Sequence, residues 1–336
     1  MKKNNCKPFK TSFALQNRHV QTLYSSLFRK ERTLETTIEK FELSDGDFVE
    51  CFWYNKPPTN SSTPIAILFH GLEGSYKSPY IQGVMLELQK EGIASVLMHF
   101  RGCSGVPNRF ARAYHSGDTA DALEWITYVK KSFKNSKLFG VGYSLGANML
   151  LKLLGELKEN SLLSGAVSVS APLQLDLSAN KMNSGFSKFY QYHLLRSLRR
   201  SLKAKYNDHD MSTLIKLQRS KVKELSSFWE FDDVYTAKIH GFSSASEYYE
   251  KSSAKQFLKD IRTPTLIIHA LDDPFMTPAI LPKSSELSKS VTMQVSANGG
   301  HVGFIGGSFL KPEFWLEKRV VSFVKSLKVA TKEPMS

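Results

Sequence analysis

The stretch KLFGVGYSLGANMLLKLLG, residues 137–155, decides how the rest of the chain is read. Its first half is a short apolar run, its second half an apolar-periodic segment, and between them lie Gly142, Ser144 and Gly146. That pattern is a buried strand turning sharply into a helix. Gly142-Tyr143-Ser144-Leu145-Gly146 fits G-x-S-x-G, a turn that lifts a serine hydroxyl above a sheet edge. Side chains two residues either side of the serine would collide with neighbouring backbone, which explains the glycines. Backbone N–H groups at the helix start could then hold a developing oxyanion.

Working outward, β-prone apolar runs occur at 33–43, 47–54, 65–69, 93–98, 137–142, 164–170, 263–270 and 291–296. From the third onward they alternate with helix-like stretches such as SPYIQGVMLELQKEG and HSGDTADALEWITYVKKSF, and a last one, PEFWLEKRVVSFVKSL (312–327), closes the series. Alternation of this kind predicts an α/β chain with a mostly parallel eight-stranded sheet covered by helices on both faces. The first two runs, separated by SDG, read as a hairpin at one edge. Between SVSAP (168–172) and IRTP (261–264) the rhythm stops for nearly ninety residues rich in Ser, Lys, Arg, Phe and Tyr. The expected division is a core over 1–171 and 263–336 with a helical cap inserted over 172–262.

Gly140, Gly142 and Gly146 also resemble a variant dinucleotide-binding turn, but that turn needs an acidic residue at the end of the next strand. Here the next strand ends SVSAP. A serine nucleophile instead needs a base, and the base an orienting carboxylate, in the chain order Ser, acid, His. TPTLIIHA (263–270) runs into Leu271-Asp272-Asp273-Pro274, and His301 is the one histidine that follows. Asp273 sits where the acid is expected and Asp272 is the alternative. The interval from Asp273 to His301 has room for one helix and one strand, which return the histidine loop to the same sheet end. IAILF (65–69) leads into His70-Gly71-Leu72-Glu73-Gly74, an H-G-x-x-G turn. The backbone N–H groups of Leu72 and Leu145 are therefore the candidate oxyanion donors, with His70 a structural member of its turn. No metal or organic cofactor is required by this chemistry.

Composition sets outer bounds. Of 336 residues, 41% are hydrophobic and 23% charged, which suits a globular chain with a sizeable core and excludes a disordered or fibrous one. Cys6, Cys51 and Cys103 are scattered without a CxxC pair, against a disulfide framework or a cysteine-rich metal site. No segment reaches the roughly 18 apolar residues of a transmembrane helix. The basic start MKKNNCKPFK is not followed by the apolar run of a signal peptide, so the expected location is cytoplasmic. Lys and Arg outnumber Asp and Glu by 45 to 31, and ten of these cations against two aspartates fall within 186–223. That segment is the candidate for peripheral contact with an anionic membrane surface. It lacks a nucleic-acid-binding motif, so no specific nucleic acid is expected.

Six segments together resemble the YheT-like branch of the α/β-hydrolases: HGLEGS (70–75), FRGCSG (100–105), YHSGDTAD (114–121), GYSLGANMLLK (142–152), ALDDPF (270–275) and GGHVGF (299–304). FALQNRHVQT (13–22) and YYEKSSAKQFLKDIRTPTL (248–266) are similar to the same group, so the resemblance spans nearly the whole chain. It implies the α/β-hydrolase fold and a serine carboxylic-ester hydrolase with Ser144 as nucleophile, Asp273 as acid and His301 as base. The branch comprises bacterial proteins named as esterases, animal relatives acting on phospholipids and acylglycerols, and yeast enzymes that make and cleave medium-chain ethyl esters. The implied substrates are small-molecule or lipid acyl esters. The resemblance adds Arg101, Gly102, Cys103 and His115 as motif positions without roles; Arg101 reads as a structural fork between loops and Cys103 as packing.

Within the insertion, Phe186, Phe189, Tyr190, Leu194, Leu198 and Leu202 recur at helical spacing, interleaved with Arg196, Arg199, Arg200 and Lys203. This is either a cap helix with a solvated basic face or a lid that meets anionic lipid while its apolar face lines an acyl channel. Two other functions fit the same residues: acyl transfer, if an alcohol replaces water at the second step, and ligand binding with little turnover.

Overall fold

The computed structural model describes residues 8–29 and 32–329; Cys6 and the basic first seven residues lie outside this range. In chain order the elements of the first half are α1 Arg18–Phe28, β1 Thr36–Glu42, β2 Phe48–Tyr54, β3 Ile65–Phe69, α2 Pro79–Lys90, β4 Ala94–Met98, α3 Ala120–Ser132, β5 Leu138–Tyr143, α4 Leu145–Leu157 and β6 Gly165–Val169. There follow α5 Leu175–Met182, α6 Ser187–Lys205, α7 Met211–Ile215, α8 Phe228–Phe231 and α9 Ala245–Ser252. The chain ends with β7 Thr265–Ala270, β8 Val291–Ser296, β9 Ile305–Gly307, β10 Pro312–Phe314 and α10 Trp315–Val329.

Eight strands form one sheet in the order β1-β2-β4-β3-β5-β6-β7-β8. The β1–β2 hairpin is antiparallel and β2 joins β4 antiparallel, while every pairing from β4 to β8 is parallel. The expected sheet and edge hairpin are both present. Strand alternation divides the core between two faces. Ile65, Ile67 and Phe69 pack on one side with Trp125 of α3 and Leu150 of α4. Ala66 and Leu68 pack on the other with Val84 of α2 and Val320 of α10. Because β3 and β5 are covered on both faces, they read as continuous apolar runs.

The structure departs from the sequence reading in three places. No α-helix lies between Asp273 and His301: only single 3₁₀ turns at Pro278–Ile280 and Ser284–Glu286 precede β8. Pro278 and Pro282 each lack a backbone donor, which breaks any longer helix. Residues 312–314 are a strand, antiparallel to β9, so the last helix begins at Trp315. α1 was not anticipated; its start is marked by Asn17, whose side chain caps the N–H groups of His19 and Val20.

The interval 172–262 is mainly helical. Leu195, Leu202, Met211, Ile215 and Phe231 form a small apolar core of their own. Its last turn, Ala254–Asp260, packs on the main core through Ala254 and Leu258. On α6 the expected apolar residues Phe189, Tyr190, Leu194, Leu198 and Leu202 line the cavity. Leu195, Tyr190 and Leu202 are buried, whereas Phe186, just before the helix, and Phe189 are 56% and 47% exposed. Among the described residues no helix is long and apolar enough to cross a membrane.

Candidate active site

Ser144 sits between β5 and α4 with φ 51° and ψ −117°, a backbone region that costs a non-glycine residue roughly 1–3 kcal/mol. The flanking glycines are required by contact. A Cβ at Gly142 would lie 2.5 Å from the Gly146 carbonyl oxygen, and one at Gly146 would lie 2.5 Å from that of His70. The bend is held by the Ser144 N–H, which donates to the Val169 carbonyl at 2.9 Å, and by Gly146 N–H donating to His70 O at 3.1 Å.

Asp273 follows β7 and is 1% exposed. Its Oδ2 accepts from His301 Nδ1 at 2.8 Å, while Oδ1 accepts the Phe275 N–H at 2.8 Å. With Nδ1 carrying the proton, His301 presents Nε2 as an acceptor, and Nε2 lies 2.9 Å from Ser144 Oγ. Asp272 faces elsewhere: its Oδ1 accepts the Gly300 N–H at 2.9 Å and so ties down the histidine loop. Of the two carboxylates left open by the sequence, Asp273 is the one in contact with His301.

Three further contacts hold the imidazole, and motif reading identified none of them. Thr22 Oγ1 on α1 accepts the His301 N–H at 3.0 Å. Ser170 Oγ accepts the Val302 N–H at 3.2 Å. The Phe275 ring stacks on the imidazole with centroids 4.0 Å apart and planes 17° from parallel.

The turn after β3 comes close to the serine: a Cβ at Gly71 would lie 3.2 Å from Ser144 Cβ. The backbone N–H groups of Leu72 and Leu145 have no acceptor among the described residues, whereas those of Gly71, Glu73, Gly74 and Gly146 are all engaged. Two unpaired donors beside Ser144 are the arrangement an oxyanion needs. His70 is buried and spans the loops: Nδ1 donates to Gly71 O at 2.6 Å and Nε2 accepts from Phe100 N–H at 3.1 Å. Burial pushes its pKa down to about 3, so it stays neutral.

Arg101 is buried and forks between loops. Nε and Nη2 each reach Asp121 at 2.6 Å, and Nη1 reaches Asp47 at 3.0 Å and Asp45 at 2.8 Å. That geometry is a brace between the hairpin turn and α3. Cys103 is half-buried against the core, and burial pushes its thiol well above the usual range.

His115, Asp118 and His240 bring donor atoms within 4.8 Å of one another. The Arg112 guanidinium already pairs with Asp118 at 2.7 Å, and His115 Nδ1 accepts the Gly117 N–H at 3.2 Å. A metal-bound histidine commonly donates its second nitrogen rather than accepting there. These donors are thus committed to an ion pair and a loop contact.

Ser144, His301 and Leu145 open into a cavity of about 860 Å³, within the range of roughly 300–1,000 Å³ typical of small-molecule sites. Leu194 and Leu198 of α6, Leu175 and Met182 of α5, and Met276 line it. Lys205 also borders the cavity. Its ammonium donates to Asn108 Oδ1 and to the Phe110 carbonyl, so it is not part of a solvated basic face.

The family model for the α/β-hydrolase fold matches residues 64–308. A relative from Escherichia coli, YheT, whose name proposes an esterase, is 43% identical over 304 residues, covering 90% of this chain and 89% of the relative. A monoacylglycerol lipase of Saccharomyces cerevisiae is 31% identical over 258 residues, covering 74% of this chain and 57% of the lipase. Among solved structures, the Pyrococcus furiosus esterase Pf2001 superposes with a TM-score of 0.58 at 18% identity, covering 88% of this chain and 92% of that one. Est1E of Butyrivibrio proteoclasticus superposes with a TM-score of 0.53 at 12% identity, covering 87% and 98%. The sheet order, the serine turn and the extent of these matches establish that the chain belongs to the YheT-like branch of the α/β-hydrolase family.

Proposed function

We propose that the protein is a serine carboxylic-ester hydrolase acting through an acyl-enzyme, with Ser144 as nucleophile, His301 as general base and Asp273 as the orienting acid. The observation that carries this reading is the unbroken hydrogen-bonded series Asp273–His301–Ser144 at 2.8 and 2.9 Å, opening on an apolar cavity. His301 Nε2 takes the Ser144 proton as Oγ attacks the ester carbonyl, and the N–H groups of Leu72 and Leu145 receive the oxyanion. The imidazolium, stabilised by Asp273, protonates the leaving alcohol. Water then releases the acid by the same steps.

The substrate class in this reading is an acyl ester of short to medium chain or of lipid origin, with the helices of 172–262 as a cap. Leu194 and Leu198 on the cavity wall support it, as do the names of the lipase and esterase relatives. The same reading places the protein at the cytoplasmic face of a membrane. Exposed Phe186, Phe189, Tyr192, Arg196 and Arg200 on one helix are a surface suited to anionic lipid.

Hydrolysis of p-nitrophenyl esters of increasing chain length by wild type and Ser144→Ala tests the proposal. Turnover that passes through an optimum chain length in wild type and disappears in the variant is expected. Absence of turnover at every length in wild type would overturn it.

A further inference from the structure

Glu73 is the residue after Leu72 in the turn beside Ser144, and its backbone is unusual. The Gly74 N–H donates to Gly71 O at 3.0 Å, closing a four-residue turn, and Glu73 occupies its third position with φ 53°. Glycine or asparagine takes such a position at least cost. A glutamate there points to a use for its side chain.

That side chain faces two directions. Toward the core, Tyr114 Oη accepts the Glu73 N–H at 2.8 Å and donates to Glu73 Oε1 at 3.0 Å. Toward the cap, Oε2 accepts from Ser197 Oγ at 3.1 Å and from Ser201 Oγ at 2.8 Å. Ser197 and Ser201 are four residues apart and therefore neighbours on one face of α6. No lysine, arginine or histidine pairs with Glu73 among the described residues, so its two oxygens are held by three hydroxyls.

We infer that Glu73 is a positioning residue that couples the seating of α6 to the direction of the Leu72 N–H. The inference rests on the reading of Leu72 as an oxyanion donor. When α6 is docked, Glu73 is held from both sides and the turn has one geometry. When α6 lifts, Oε2 loses both partners and the turn relaxes toward the conformation an ordinary residue prefers. Activity then depends on cap closure even for an ester too small to touch the cap. An oxyanion donor misaligned rather than deleted loses part of the roughly 10²–10³-fold that a donor supplies.

Three variants separate positioning from mere support. Ser197→Ala/Ser201→Ala leaves the turn sequence intact and is expected to lower kcat on p-nitrophenyl acetate about tenfold, with KM within about twofold. Glu73→Gln keeps an acceptor for the hydroxyls and is expected to retain most of kcat. Glu73→Gly relieves the backbone but deletes the three hydroxyl contacts, and should lower kcat with KM within about twofold, a split that a purely structural role would not produce. Wild-type kcat in the double serine variant, or in Glu73→Gly, would overturn the inference. Amide hydrogen exchange at Leu72–Gly74 reads the contact without turnover. Faster exchange in the double serine variant is expected, and unchanged exchange would contradict the coupling even if wild type proved inert toward esters, a result that would sink the hydrolase reading instead.

Discussion

Around Ser144 the backbone is packed too closely for any added atom, whereas the approach to α6, which walls the same cavity, is open. A Cβ at Gly146 would meet the His70 carbonyl at 2.5 Å, while one at Gly185, just before α6, would meet nothing within 4 Å. Asp273 is 1% exposed, yet Phe186 at the start of α6 and Phe189 within it stand about half exposed. Ser144, Asp273 and His301 are held by strand ends and turns, and much of the cavity wall comes from helices with a small core of their own. In the proposed reading chemistry belongs to the first region and substrate choice to the second, and Glu73 is one of the places where the two touch, beside Ser187 on the Pro274 carbonyl and Tyr190 on Phe275.

The comparison breaks most sharply at the two adjacent carboxylates. Asp273→Asn is expected to lower kcat/KM by about 10⁴, since the imidazole would lose the partner that sets its tautomer. Asp272→Asn, which loosens only the Gly300 contact, should cost about 10² or less. Equal losses from ester kinetics would mean that the two share one role.

Glycine substitutions sharpen the contrast in stability. Gly146→Ala forces backbone apart and should cost about 3 kcal/mol in denaturant unfolding, near the upper end of overpacking effects. Gly185→Ala, at φ 52° but in open space, should cost about 1 kcal/mol from backbone strain alone. A Gly146→Ala protein as stable as wild type would show that the elbow has slack.

The cap side is probed by Leu198→Trp, which adds volume to the cavity wall. Turnover of long-chain p-nitrophenyl esters should fall about tenfold while that of the acetate holds, because the loss is of chain accommodation rather than of chemistry. A parallel loss on both substrates would assign Leu198 to the catalytic geometry.

How much of this was legible in the sequence divides along the same line. The strands read clearly because β3 and β5 are covered on both faces and form unbroken apolar runs. Ser144 and His301 stand out because each follows a strand in a fixed chain order, whereas the choice of Asp273 over its neighbour Asp272 takes the contact with His301. The Phe275 ring over His301 and the Thr22 contact from α1 were not legible. They are long-range packings between segments that carry no motif for each other. The burial of Leu195 in the cap's own core was also hidden, because it adjoins the stripe of Leu194 and Leu198 and only tertiary contacts set it apart.

A smaller effect comes from the buried histidines between the regions. Burial, the neighbouring His115 and Arg112 lower the His240 pKa from 6.5 to about 3, against a partial upward pull from Asp118. Between those values the unfolded chain binds more protons than the folded one. The contribution is therefore complete above about pH 6.5 and is lost as pH falls toward 3. Replacing His240, whose Nε2 has no partner among the described residues, with Asn should flatten the stability slope over pH 4–6 by up to about 1.4 kcal/mol per pH unit. An unchanged slope from denaturant unfolding at several pH values would show that His240 titrates normally.

The smallest expected effect is at the membrane. Arg196→Gln should weaken binding to phosphatidylserine-containing vesicles about fivefold, close to the 1 kcal/mol expected per surface cation, and leave acetate turnover untouched. Binding equal to wild type would remove α6 from the proposed lipid contact.

The central claim is that Ser144 is the acylated residue, and covalent trapping reads it most directly. Wild type and Ser144→Ala would be treated with an alkyl fluorophosphonate, and intact mass and peptide mapping would locate the adduct. The account predicts a single adduct on the peptide containing Ser144 in wild type, formed as the serine oxygen displaces fluoride, and none in the variant. An unlabelled wild type, or an adduct that persists in Ser144→Ala, would contradict it.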